Sequence, residues 1–545
     1  MSPVGILHLV LLLVGAAILL ALLADKLKIP PAIPLVLGGI VLALIPGAPP
    51  LNLDPSLILV LFLPPLLLYA AYFTVWSDFR AEIRPIAMLS FGAVAFTTAS
   101  VGGVAHWIIP TLPWPACFAL GAIVSPPDAV SARAVFARLN VPRRIQTILE
   151  GESLVNDASG LVLYRLAVVA AMSGTFSLAQ APFTLLWLVC GGIGIGSAVG
   201  SVVTFALRQL EDSRYIVVVT MLAAYGSYIA AEEAHASGVL SVVTCGLLIG
   251  WHQHEVLSAQ ARSDSHAVWD LVVFILETLV FVLIGLSLHG ILERMGGKTH
   301  LWEQAMPLAV ASTATVIISR FLWVFPSSVV TRWIVPGLSE RDPPPSKAVL
   351  SIMSWSGMRG VVSLAAALAL PLKFPGRDPI IFATFAVILV TVLVQGLTLG
   401  PLVKWLKLPE LDSHPQATPT LSFAETRVKI NEAAVQALET IVDTDDGVAH
   451  KGLLEEYRSR MKATERLRDE DDSIGKESHA HFKAALTATQ QSRAELLRLL
   501  HAGEIHESVA HEIEAELDLE EIRWRKLTEA IPEKGSREHP DNEPD

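Results

Sequence analysis

From residue 4 to residue 406 this chain is a succession of apolar runs, at about 4–24, 30–47, 56–74, 84–109, 114–138, 144–172, 181–207, 214–233, 236–251, 268–290, 304–329, 346–372 and 378–406. That feature limits the fold more than any other. A run of about 20 apolar residues is the length that crosses hydrocarbon as a helix. Inside hydrocarbon the backbone must satisfy its own polar groups, so such runs fold as helices packed on helices. Roughly thirteen spans are expected, of which 30–47 and 236–251 are the shortest. With 52% hydrophobic and only 17% charged residues, the composition fits an all-α polytopic membrane protein and excludes an ordinary soluble domain. Residues 4–24 lack a basic leader and a clear cleavage site, and are read as the first span.

The connections set the orientation. One alternating set carries Lys26, Lys28, Arg80, Arg84, Arg138, Arg143, Arg144, Arg208, Arg214, Arg262, Arg332, Arg341, Lys347, Lys404 and Lys407, while the other carries only Arg294, Lys298, Lys373 and Arg377. Basic loops stay in the cytoplasm. The N-terminus is therefore expected outside and the C-terminus inside, which agrees with an odd number of spans in the cell (inner) membrane.

Two polar interruptions fall within apolar spans: Ser125-Pro126-Pro127-Asp128, and Glu152-Ser153-Leu154-Val155-Asn156-Asp157. A carboxylate at the centre of a bilayer costs about 2.5–3.5 kcal/mol even on the most lenient insertion scale. Paired prolines break a helix and release backbone carbonyls. A third interruption, Ser354-Trp355-Ser356-Gly357-Met358-Arg359-Gly360, sits in the twelfth run. The fifth and twelfth runs are each fifth in a block of six if the seventh is a linker, so the blocks are inverted relative to one another. Helix breaks at matching positions of inverted halves point to a binding site near the midplane.

Asp157 is the strongest candidate for chemistry. Ser153 lies four residues before it, on the same helix face. Glu152 is placed to complete the site from the edge, and Asn156 is the neutral neighbour. A small hard cation wants several oxygens; Asp157, Glu152, Ser153 and the backbone carbonyl of Pro127 offer them. Asp128 is expected to cap the half-helix that follows the prolines. Glu277, Arg320 and Arg359 are the other deep charges, and Glu277 is expected to pair with Arg320 or with Arg359. Arg165 is expected to pack or to reach the interface, and Arg133 to snorkel towards the cytoplasm.

Elsewhere the signals are weaker. Cys117, Cys190 and Cys245 lie in apolar runs and read as small packing residues. The histidines are scattered, and no cofactor is implied. The net charge of −12 comes mostly from acids after residue 410, and no basic surface for nucleic acid is visible. Residues 1–408 form the membrane domain. Residues 409–545 are expected to be a helical, regulatory cytoplasmic tail, with breaks near Asp445-Asp446-Gly447 and Ala502-Gly503 and disorder from Pro532 to Asp545.

The stretches Gly121-Ala-Ile-Val-Ser-Pro-Pro-Asp-Ala-Val130, Leu149-Glu-Gly-Glu-Ser-Leu-Val-Asn-Asp-Ala158 and Gly357-Met-Arg-Gly360 together resemble the bacterial sodium/proton exchangers of the monovalent cation:proton antiporter-1 type, the NhaP-like group. The resemblance covers residues 1 to about 408. It implies a thirteen-helix inverted-repeat fold, homodimeric, embedded in membrane lipid. Spans one to three and seven to ten would form a scaffold; spans four to six and eleven to thirteen would form a mobile core. It implies that Asp157 binds Na⁺, or Li⁺ or K⁺, and H⁺ in turn, with Glu152 and Ser153 beside it. The neutral Asn156 resembles the electroneutral branch. Pro127 departs from the family, where threonine is frequent before the aspartate.

Three other classes compete with exchange. A channel would need a filter signature, and none is present. An intramembrane aspartyl hydrolase would use Asp128 and Asp157 as a dyad, but the surrounding residues do not match. A transport-inactive sensor signalling through its tail is the alternative to exchange.

Overall fold

The computed structural model describes residues 3–44, 55–136, 139, 141–173, 181–295, 299–334, 344–406, 423–444, 451–458, 461, 472–502, 504 and 507–529. Every element among them is a helix. The chain divides into two compact units, Met1–Leu411 and Asp412–Asp545.

In the first unit the helices are α1 (Pro3–Leu27), α2 (Ala32–Leu44), α3 (Pro55–Tyr72), α4 (Trp76–Ala81), α5 (Ile83–Ala87), α6 (Val94–Ile108), α7 (Trp114–Val124), α8 (Ala129–Phe136), α9 (Arg143–Ser173), α10 (Ala181–Leu207), α11 (Ser213–Glu233), α12 (Gly238–Val256), α13 (Ala259–Met295), α14 (Thr299–Ile334), α15 (Lys347–Trp355), α16 (Val361–Leu368), α17 (Arg377–Val390) and α18 (Gly396–Leu406). Among the described residues seven helical stretches are long and apolar enough to cross a membrane, and Ala32–Leu44, Val60–Tyr72 and Trp114–Val124 are shorter apolar helices.

Some of the helix starts have a side-chain cap. Asp212 caps α11 by accepting from the Arg214 N–H, and Ser237 caps α12 by accepting from the Leu240 N–H. The expected interruptions fall between α7 and α8, at 125–128, and between α15 and α16, at 356–360. Two π-helical turns, Met88–Ala93 between α5 and α6 and Thr391–Gln395 between α17 and α18, widen otherwise continuous helices. Such turns turn backbone and side-chain groups towards functional positions.

Packing between apolar helices in a membrane rests on close approach, since lipid offers no hydrophobic gain. The α2–α13 crossing shows this. A Cβ on Gly39 would stand 2.3 Å from the Val282 carbonyl oxygen, and one on Gly285 would stand 2.3 Å from the Val36 carbonyl oxygen. The cores are apolar and continuous around α7, whose Leu120, Ile123 and Val124 are fully buried.

In the second unit the helices are Phe423–Thr444, Asp472–His501 and Glu507–Glu529, with residues 451–458 also helical. The last two pack on each other. Arg493 joins them through Asp518 at 2.6 Å and Glu521 at 2.9 Å. The expected break at 445–447, Gly503, the stretch 532–545, and the basic residues Arg138, Lys298, Arg341 and Lys407 lie outside the described residues.

Candidate ion-binding site

The two breaks cross. The N–H of Asp128 donates to the Met358 carbonyl oxygen at 2.7 Å, so the first break is tied directly to the second. A Cβ at Gly360 would stand 2.0 Å from Asp128 Oδ2, so only glycine lets the two chains meet. Each break is also held from a neighbouring helix. Thr98 donates to the Ser125 hydroxyl at 3.3 Å, and the Arg359 N–H donates to Thr391 Oγ1 at 3.1 Å.

The helix α9 runs past this crossing and divides its polar residues between two faces. Positions 153 and 157 are one turn apart and line a cavity of about 100 Å³. The same cavity is lined by Asp128, Arg133, Glu150, Glu277, Tyr69 and Pro126. Its wall therefore carries four carboxylates against one guanidinium. Arg133 meets Glu150 at 3.2 Å, and both are 42% exposed, so that end of the cavity reaches solvent.

The other face of α9 is dry. Glu152 is 1% exposed and Asn156 0%. Both oxygens of Glu152 are taken by Arg320, at 2.6 and 2.8 Å, and Arg320 Nε donates to the Met353 carbonyl oxygen at 3.0 Å. The side-chain amide of Asn156 donates to the Pro127 carbonyl oxygen at 2.9 Å. Ser90, in the first π turn, donates to the Glu152 carbonyl oxygen at 3.2 Å and accepts from Ser159 through its own carbonyl. One face of α9 is thus fastened to both breaks while the other faces the cavity.

Several expectations are corrected by this geometry. Glu277 does not pair with Arg320: Arg320 pairs with Glu152, and Glu277 lines the cavity with Asp157. The reason is helical geometry, since one residue turns the side chain by about 100°. Glu152 and Ser153 therefore point different ways, and Glu152 does not line the cavity. Nor does Glu277 pair with Arg359. Arg359 is 1% exposed, its Nε and Nη1 have no hydrogen-bonding partner among the described residues, and the charges that act on it there are Arg320 and Glu152. The Pro127 carbonyl is engaged by Asn156, and it is Pro126 that reaches the cavity. Arg165, expected to pack or to reach the interface, is 38% exposed and meets Glu232 at 2.6 Å. Among the described residues no group of three or more His, Cys, Asp or Glu is placed to hold a metal ion. The cavity offers a carboxylate beside a hydroxyl, which suits a weakly held, exchangeable ion.

Sequence reading did not single out Tyr69 or Asp270. Tyr69 lines the cavity and donates to Asp270 at 2.6 Å. The available signal was the position of Asp270, two helical turns before Glu277 on α13.

A crossing of two broken helices beside an acid-lined cavity is an arrangement of secondary transporters, and the comparisons agree. The family model described as "Sodium/hydrogen exchanger, transmembrane" matches residues 10–405, and the chain belongs to that family. It is a multi-pass membrane protein of the sodium/proton antiporter type, NhaP-like. It is 32% identical over 531 residues to an uncharacterized Na⁺/H⁺ exchanger of Mycobacterium tuberculosis strain H37Rv, covering 94% of this chain and 95% of the relative. It is 30% identical over 496 residues to a sodium, potassium, lithium and rubidium/H⁺ antiporter of Bacillus pumilus, covering 87% and 71%. It is 30% identical over 411 residues to the Na⁺/H⁺ antiporter NhaH of Halobacillus dabanensis, covering 72% and 96%. The structure of the sodium proton antiporter MjNhaP1 from Methanocaldococcus jannaschii at pH 8 shares the fold, with a TM-score of 0.60 at 19% identity, covering 74% of this chain and 99% of that one.

Proposed function

We propose that this protein exchanges Na⁺ for H⁺ across the cell membrane by alternating access, with Asp157 binding the cation and the proton in turn. The observation that carries the reading is the placement of Asp157 and Ser153, one turn apart, in a cavity of about 100 Å³ beside the crossing of the two breaks. One carboxylate cannot hold a proton and a metal ion together, so occupancy by one expels the other. Four carboxylates on the wall draw in cations. The names of the relatives support the same chemistry and leave Li⁺ and K⁺ as further substrates.

Ser153 supplies a neutral oxygen to the cation. Glu152 acts indirectly, through Arg320 and the second break, and Asn156 acts through the first break. With Asn156 neutral, each half-cycle moves one charge, so exchange is one-to-one and electroneutral. Thirteen spans in two inverted six-helix repeats, a homodimer, an external N-terminus and a cytoplasmic regulatory tail complete the reading.

The test is cation-induced dequenching of an imposed pH gradient in everted vesicles with Na⁺, Li⁺ and K⁺. Asp157→Asn should leave expression and insertion intact and abolish the signal. A variant that still drives proton flux at the parental rate would remove Asp157 from the site.

A further inference from the structure

The cavity has a second connection to the surface, made of side chains. Tyr69, on α3, donates its hydroxyl proton to Asp270 Oδ1 at 2.6 Å, and Asp270 Oδ2 meets His266 Nδ1 at 2.8 Å. His266 is 57% exposed, whereas Tyr69 lines the cavity that holds Asp157. The three groups form an unbroken chain of short hydrogen bonds from an exposed imidazole, past a carboxylate that is 47% exposed, to a phenol on the cavity wall. It is also held in place. The Phe73 ring lies 4.8 Å from Tyr69 and 4.7 Å from His266, which fixes both ends. Other ionisable groups border it. Arg133 and Glu277 act on Tyr69 from the cavity side, and Arg262 acts on Tyr72 beside it. The hydrogen bonds between α11 and α13 use neutral hydroxyls on the α11 side: Ser213 donates to Asp264, and Thr220 accepts from the Trp269 indole N–H.

We propose that Tyr69, Asp270 and His266 form a proton relay between the surface and the exchange cavity, separate from the route by which the cation enters; this rests on exchange at Asp157. Asp270 starts protonated on Oδ2. A proton leaving the cavity binds Tyr69 Oη as the hydroxyl proton passes to Asp270 Oδ1, the proton on Oδ2 passes to His266 Nδ1, and Nε2 releases its own proton. One proton has then crossed, and rotation of the tyrosine hydroxyl, the carboxyl and the exposed imidazole resets each group. For uptake each step reverses, with the tyrosine hydroxyl turned towards the cavity. Imidazole is suited to the outer position because its two ring nitrogens let it take a proton on one side and give one up on the other. The gain is that cation and proton need not pass one another.

The experiment compares full-length Tyr69→Phe, Asp270→Asn, His266→Ala and Asp157→Asn in everted vesicles at matched expression, in a mildly alkaline medium where protons are scarce. The relay variants should lose at least fivefold in maximal exchange rate while half-saturation by Na⁺ stays within twofold of the parent. Added imidazole should restore His266→Ala and leave Tyr69→Phe slow. Parental rates in all three relay variants, with Asp157→Asn inactive, would overturn the relay alone. So would slow variants whose Na⁺ half-saturation rises in parallel, or a His266→Ala defect that imidazole does not relieve. Exchange persisting in Asp157→Asn would overturn the ion site, and the relay with it.

Discussion

The two helix breaks do the same job with opposite chemistry. The first, 125–128, is built from two prolines and ends on an acid. The second, 356–360, is built from glycines around a buried arginine. Proline lacks the N–H that would continue a helix, so the first break is written into the covalent structure. The second is permissive and depends on its neighbours: Thr391 accepts the Arg359 N–H, Arg320 donates to the Met353 carbonyl, and Asp128 binds the Met358 carbonyl. An intrinsic break can therefore tolerate loss of a contact better than a supported one. That difference can be attacked directly.

The largest effect is expected at Arg320. Arg320→Met strips the partner from a carboxylate that is 1% exposed. Removing one member of a buried pair costs about 3–5 kcal/mol in soluble interiors. Thermal unfolding in detergent should show the loss, and Glu152→Gln combined with Arg320→Met should be more stable than Arg320→Met alone. If the double variant is the worse of the two, the pair is not the support we assign.

Gly360→Ala should come next. The added methyl would overlap Asp128 Oδ2, so either the crossing opens or Asp128 moves. Exchange should fall more than tenfold with thermal stability little changed, because the disturbed atoms border the cavity rather than the apolar core. Parental exchange would show that the close approach is not needed. A smaller effect should follow Thr391→Val, which removes one hydrogen bond to the second break at a cost of about 1 kcal/mol. The matching change at the first break, Thr98→Val, should cost less in exchange rate, because the prolines persist. Equal losses at both would erase the distinction between intrinsic and supported breaks.

Much of this could be read from sequence, and what could not has a common cause. Pro126-Pro127 and Gly357-Met358-Arg359-Gly360 announce where helices end, because those residues act on their own backbone. The shared face of Ser153 and Asp157 follows from spacing along one helix. The partners of Arg320, Arg165 and Tyr69 do not, since they lie 168, 67 and 201 residues away. Such pairings are decided by how helices dock, which periodicity does not encode. Counting deep charges points to Arg320 or Arg359 as the partner of Glu277. Glu152 was passed over because it is sequence neighbour to the cavity face, though the helix turns it to the opposite side.

The fastening of α9 to both breaks also has an electrical consequence. Asp128, Glu152 and Asp157 contribute three negative charges to this tethered block, and Arg320 and Arg359 contribute two positive ones. On the proposed exchange at Asp157, the sum is −1 when that residue is vacant and zero with either Na⁺ or H⁺ aboard. Moving a net charge through hydrocarbon is costly. The block would then shuttle readily only when loaded, by whichever ion, and an empty return stroke would be suppressed. Leakage would be limited by simple arithmetic of charge, without any dedicated gate.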